Sequence, residues 1–149
     1  MLIVTVMVLA AATAMPADKT APVETLFREF GLLGTWAPDC KQAASPGNPH
    51  VSITSPGAGA VLEDHDLGSG FAINRYSMLA GERLSDELLS VNTIFQPGTA
   101  EEERERLVFR VRHGTRRTMF NQPDGGKAHV VDGMVLPDGS KTPVLNKCE

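Results

Sequence analysis

The chain has 149 residues, enough for one domain around a single core, and its 42% hydrophobic and 21% charged content is that of an ordinary globular protein. A net charge of −4 speaks against non-specific nucleic-acid binding, which needs a basic surface to displace phosphate counterions. Fourteen glycines and ten prolines recur at short intervals, so short elements joined by turns are expected rather than long helices.

Leu2 to Ala14 is apolar and uncharged and ends on the small-residue pattern Ala12-Thr13-Ala14. This is the pattern of an export signal cleaved after Ala14; a cut after Ala17 ranks second, because Met15 would then stand where a small residue is preferred. The run is shorter than the roughly 20 apolar residues a membrane-crossing helix needs, so no stable membrane insertion is expected after cleavage. Residues 1–14 are thus read as a signal peptide, 15–21 as a flexible terminus and 22–149 as one domain. Within that domain, Thr20 to Phe30 predicts a short helix with Thr20 as cap, Pro22 in the first turn and Gly31 as the stop. Val23, Leu26, Phe27 and Phe30 share one face of it, which should lie on the core as a lid or plug.

Everything after Leu33 reads as strands. The runs are "TWAP", "HVSITS", "AVLEDH", "GFAINRYSMLAG", "DELLSVNTIFQPG", "ERLVFRVRHG", "TRRTMFNQPDGG", "KAHVVDGMVLPDGS" and "TPVLNKCE". Turn signals at "SPG", "LGSG", "LAGE", "RHGT", "PDGG" and "PDGS" separate them. About eight consecutive strands without helical patterns between them predict an all-β, antiparallel up-and-down barrel, with an open β-sandwich as the alternative. "TAEEERERL" could pass for a helix, with a capping box at Thr99 and Glu102, and its mixed charges fit a solvated turn and strand start better than a binding site.

The two cysteines, Cys40 and Cys148, are expected to form a disulfide, because export favours oxidation and a metal site needs three or four clustered ligands. Such a bridge makes neighbours of the first strand and the last residues, as closure of a sheet requires.

Gly34-Thr35-Trp36, following a short helix and opening the first strand, resembles the first motif of the lipocalins and their calycin relatives. The resemblance implies an eight-stranded barrel closed at one end by the Trp, with an Arg from a late strand packed across its ring. The sequence supplies that Arg in "VRHGTRRTMF". If His113-Gly114 or Gly114-Thr115 forms a two-residue loop, Arg116, Thr118 and Phe120 share the face of Phe109 and Val111, and Arg117 points out. A three-residue loop exchanges the two arginines. Arg116 is therefore the first candidate for stacking on Trp36.

Chemistry-bearing motifs are few. Glu63, Asp64, His65 and Asp66 form the densest polar cluster but lack the spacing of a metal motif, so no metal or other cofactor is expected. His50, His113 and His129 stand singly. No G-x-S-x-G is present, and both cysteines are committed to the bridge, so enzymatic activity is not expected. The expected function is that of an exported, periplasmic module binding a small, partly apolar ligand in the barrel mouth, with Asn74, Arg75 and Tyr76 as polar contributors. Arg110 and Arg112 read as strand-surface decoration. The alternative partner is an envelope protein: small bacterial inhibitors of secreted metalloproteases look similar, with an exported barrel, a G-x-W near the start and one disulfide.

Overall fold

A computed structural model describes residues 21–149. The expected signal peptide, its cleavage sites and Thr20 lie outside the described residues. Helix α1 spans Val23–Glu29, and it is followed by β1 (Gly34–Ala37), β2 (His50–Gly57), β3 (Ala60–Asp66), β4 (Asn74–Arg83), β5 (Leu88–Phe95), β6 (Glu103–Arg112) and β7 (Thr115–Pro123). Two-residue strands β8 (Val130–Val131) and β9 (Met134–Val135) precede the last strand, β10 (Leu145–Cys148). Strands β1 to β7 pair antiparallel in chain order. Strand β10 then lies between β7 and β1, with Leu145 opposite Arg116 and Cys148 opposite Thr35, and closes an eight-stranded barrel. Closure leaves the barrel without the free edges that an open sandwich would expose. The β8–β9 hairpin hangs from β7 through Asn121 and Val130.

Hairpin chemistry sets much of the register. The β6–β7 loop has two residues, His113 (φ 50°) and Gly114 (φ 72°), with Arg112 paired to Thr115. Positive φ at both central positions matches the right-handed strand twist, which is why Gly occupies the second. Arg116 consequently faces inward with Val111 and is 2% exposed. The same parity does not extend to Phe120. A bulge places Phe109 opposite Thr118 but Val108 opposite Phe120, so the extra residue, Met119, turns Phe120 to the outer face and Asn121 to the interior.

One turn expectation and one strand start are also corrected. "LAGE" is not a turn: β4 runs through Gly81, which pairs with Val91. Glycine is required there because α1 crosses the strand so closely that a Cβ would sit 2.9 Å from Leu26 Cδ1. Gly70 to Ile73 is not strand, and β4 begins at Asn74. The charged segment before β6 is a turn, as read, with Gly98 N–H donating to Glu102 Oε2 at 2.7 Å.

Helix α1 begins after Pro22 without a side-chain cap and ends at Gly31 (φ 63°), where Leu32 N–H donates to Phe27 O and Gly31 N–H to Arg28 O. Seven residues cannot sustain a helix in water, so its stability comes from what it buries. Leu26 and Phe27 are fully buried, and the Phe27 ring meets Phe109 edge-on at 6.5 Å. Each such side chain contributes about 1.5–3 kcal/mol by leaving water. Ser55, Arg83 and Lys147 bond Glu24, Glu29 and Gly31 O respectively, so strands β2, β4 and β10 all hold the plug. With Trp36, Ile53, Val61, Leu89 and Val91 beside it, this end of the barrel is filled with apolar side chains.

Trp36 is 1% exposed, and its indole N–H donates to Leu32 O at 2.8 Å. The cation over its ring is Lys147, 5.3 Å from the centroid, not Arg116. Arg116 instead lies over Phe109 at 4.2 Å. Cys40 and Cys148 form the expected disulfide, joining the segment after β1 to β10 across 108 positions.

Candidate functional site: a polar cavity in the barrel mouth

The other half of the barrel interior mixes polar with apolar side chains. Alternation along β3 sends Val61, Glu63 and His65 inward, and Asp64 outward. Tyr76 from β4, Glu105 and Leu107 from β6, and Arg116, Thr118 and Asn121 from β7 face the same space. Val130 from β8 and His129, Thr142 and Pro143 from the segments flanking the β8–β9 hairpin also line it. Together with Val51 and Leu145 these residues enclose a cavity of about 340 Å³.

At the floor of the cavity, Glu63 Oε1 accepts hydrogen bonds from Arg116 Nη2 and from His65 Nε2, both at 2.6 Å. Glu63 and Arg116 are 1% and 2% exposed, so both charges are withdrawn from water. Burial alone would raise the Glu63 pKa, but the Arg116 guanidinium and the His65 imidazole outweigh it and hold the group at about 2. The ion pair is made through one oxygen and one nitrogen only. Glu63 Oε2, Arg116 Nε and Arg116 Nη1 are buried with no hydrogen-bond partner among the described residues. Thr93 Oγ1 shares that condition but does not line the cavity. Burying a charged pair stabilises a fold only when its remaining lone pairs and protons are also satisfied, so this pair is held in place at a cost in stability.

The upper walls add a second carboxylate. Glu105 accepts a bond from Asn121 Nδ2 at 2.7 Å. Burial pushes its pKa up, and Glu103 adds to this, against the lowering by Asn121 and His129. Tyr76 packs between His65 and Phe95, each ring 5.1 Å away. Burial, reinforced by Glu105 and Glu63, raises its phenol well above the usual range, so it stays a hydroxyl.

Of the three residues expected to contribute polar contacts, only Tyr76 lines the cavity. Consecutive strand residues point to opposite faces, so Arg75 turns outward and pairs with Asp64 at 2.7 and 2.6 Å. Asn74 Oδ1 accepts a bond from Gln96 Nε2 at 3.4 Å at the strand start. Arg112 pairs with Glu87 at the surface. Arg110 lines an outer groove of about 670 Å³ with Arg106, Leu88, Val108, Met119 and Phe120. His50 bonds Gln42 O, and His113 forms the β6–β7 turn. Among the described residues, no cluster of His, Cys, Asp and Glu could hold a metal.

The polar cluster Glu63 to Asp66 divides between the two faces of β3. The spacing Val61-x-Glu63-x-His65 carries the signal that divides it, since Val61 alternates onto the core and takes the other two with it. Glu105 carries the same signal, alternating with Leu107 and Phe109 along β6, whereas Asn121 and His129 offer none, because the bulge and the hairpin excursion set their facing. Comparison with family models, with curated proteins and with solved structures finds no match to this chain.

Proposed function

We propose that the protein is an exported, lipocalin-like barrel that holds a small, partly apolar ligand in its mouth and does no chemistry on it. The observation that carries this reading is the 340 Å³ cavity, in which Tyr76, Glu105, Thr118 and Asn121 stand among apolar walls above the Glu63–Arg116 pair. Apolar lining with a few convergent polar groups is the usual make-up of a small-molecule site. Val51, Leu107, Val130 and Leu145 supply the walls, and Glu63 and Arg116 the polar floor. Binding is favoured over catalysis because, among the described residues, His65 hydrogen-bonds Glu63 and no hydroxyl or thiol is bonded to its ring as a nucleophile would be. The disulfide supports an oxidising compartment such as the periplasm.

Native mass spectrometry of protein taken from the periplasm of its own host should show a retained small molecule at one copy per chain. Thr118→Trp, which fills the cavity from β7, should abolish the added mass. Ligand-free wild type, or a bound mass that survives Thr118→Trp, overturns the reading. A stoichiometric envelope protein in its place points to the protein-binding alternative.

A further inference from the structure

We propose that this cavity selects a ligand whose head is a primary ammonium on a short apolar body, received by Glu105, over a neutral or anionic head of the same size. The inference rests on the small-ligand reading above and specifies the chemistry of that site.

The hydrogen-bond donors around the cavity are spent on the protein itself. Arg116 Nη2 and His65 Nε2 both serve Glu63 Oε1, and the other guanidinium nitrogens are sealed beneath the surface. Asn121 Nδ2 serves Glu105 Oε2, and Thr142 Oγ1 serves Thr118 O. Acceptors remain. Glu105 is 7% exposed, points inward in alternation with Leu107 and Phe109, and lines the cavity beside Asn121. Its Oε1 has no hydrogen-bond partner among the described residues, yet is not sealed as Glu63 Oε2 is. With its amide nitrogen committed to Glu105, Asn121 keeps a carbonyl oxygen to offer. The Tyr76 hydroxyl, held protonated by burial and by Glu105 and Glu63, is a further acceptor in the same space.

Charge points the same way. Glu63 and Arg116 meet at 2.6 Å and cancel, whereas Glu105 forms no ion pair among the described residues. Burial is the main cause of its raised pKa, the mark of a carboxylate short of a counter-charge; Glu103 adds to it, and Asn121 and His129 relieve it only in part. An ammonium brings three N–H donors, no acceptor and the missing charge. A carboxylate sets a second negative charge against Glu105 in a site screened from water, with no free donor to meet it. An amide donates but leaves the charge unmatched. His65 and His129 are the other groups here able to carry charge. Binding is therefore measured at pH 8, above the ordinary imidazole pKa of about 6.5, and repeated in His129→Gln. At interior packing density, 340 Å³ accommodates about a dozen non-hydrogen atoms, so the head is attached to a short body lying against Leu107, Val130 and Leu145.

Octylammonium, octanamide and octanoate share a tail and differ only in the head. Titration calorimetry on the mature, disulfide-bonded chain should rank octylammonium tightest, by on the order of tenfold over octanamide, a difference of about 1.4 kcal/mol, with octanoate weakest. Glu105→Gln removes the charge but keeps an acceptor for Asn121, and should bring octylammonium level with octanamide. His129→Gln should leave the wild-type order unchanged. Thr118→Trp should abolish octylammonium binding, which separates the cavity from the outer groove, where Asp86, Glu87 and Asp132 also attract a cation. Wild-type protein that binds octanamide or octanoate as tightly as octylammonium overturns the inference while leaving the small-ligand reading intact. A retained natural ligand with a neutral or anionic head, found by mass spectrometry, does the same. An ammonium preference that survives Glu105→Gln, or octylammonium binding that survives Thr118→Trp, overturns it by placing the cation elsewhere. Loss of the order in His129→Gln assigns the selection to the histidine and overturns it as well. Wild type that binds none of the three overturns this inference, and the small-ligand reading falls with it only if native mass spectrometry also finds no retained molecule. The wild-type order and Thr118→Trp decide the matter even if Glu105→Gln fails to fold.

Discussion

Arg116 sits where an unpaired guanidinium could not be tolerated: it is 2% exposed, stacked on Phe109, and bonded to a carboxylate that is 1% exposed. Removing one member of such a pair leaves the other charged and buried. Arg116→Ala should therefore cost about 3–5 kcal/mol in urea unfolding, whereas replacing both partners, as in Glu63→Leu with Arg116→Met, should recover most of that loss. A double variant as unstable as Arg116→Ala alone would show that the cavity floor, not the ion pair, sets the cost. Acid titration tests the same contact. The Glu63 carboxyl is held at about 2 when folded, against 4.5 for the free group. A depressed folded pKa contributes stability that is present above the unfolded value and lost as pH falls. The contribution, about 3 kcal/mol, should be complete above pH 4.5 and disappear between there and pH 2. Glu63→Gln should flatten that acid limb. Arg117, expected to point out and do little, has work of its own: it donates to Gly133 O at 2.6 Å and to Thr142 Oγ1 at 3.0 Å, tying the β8–β9 hairpin to the barrel.

At the scale of elements, turns and close approaches explain why particular glycines stand where they do. Gly68 follows β3 with φ 92°, and a Cβ there would lie 2.4 Å from Ala44 O, a backbone atom that cannot step aside. Gly70, two residues on, has nearly the same φ of 90° and open space around it. Gly68→Ala should consequently lower the melting temperature clearly more than Gly70→Ala. Both pay the positive-φ strain of about 1–2 kcal/mol, and only the first adds the clash. Equal losses would mean that the loop before β2 yields freely. The helix illustrates the same dependence on neighbours. It has seven residues and no side-chain N-cap, and it persists because Leu26 and Phe27 are buried against β4 and β6.

On the scale of the whole molecule, one bond ties the barrel seam. The disulfide joins Cys40, just past β1, to Cys148 in β10, whose pairing with β1 and β7 closes the sheet. A cross-link spanning 108 positions removes much of the unfolded chain's freedom, worth about 4–5 kcal/mol on chain-entropy grounds. Cys40→Ser with Cys148→Ser should lower the unfolding free energy by up to that amount and leave the near-ultraviolet signature of Trp36 in place, because the β1–β10 hydrogen bonds remain. Loss of that signature would show that the bond, rather than the ladder, holds the seam.

Local pattern was sufficient wherever the controlling interaction is local. Period-two alternation and turn residues placed the main strands, and "RHGT" put Arg116 on the interior face through nothing more than loop length. Two cysteines, read with the apolar stretch Leu2 to Ala14, pointed to the bridge. Alternation, however, says only in or out. It carries no information about height along the barrel axis or about which strand stands opposite. Arg116 was therefore matched to the only Trp, when β3, 53 positions earlier, supplies Glu63 and β6 supplies Phe109. Asn74, Arg75 and Tyr76 are adjacent in the sequence, but alternation turns Arg75 to the face opposite Tyr76, and Asn74 at the strand start is engaged by Gln96. Gly81 looked like a turn because its reason, the passage of Leu26 overhead, comes from a helix more than fifty residues away in sequence. The elements and their facing are properties of short stretches of chain. The cavity, its buried ion pair and its unpartnered atoms exist only after closure brings β3, β6 and β7 around one interior, since cross-barrel neighbours are set by the register of every hairpin together.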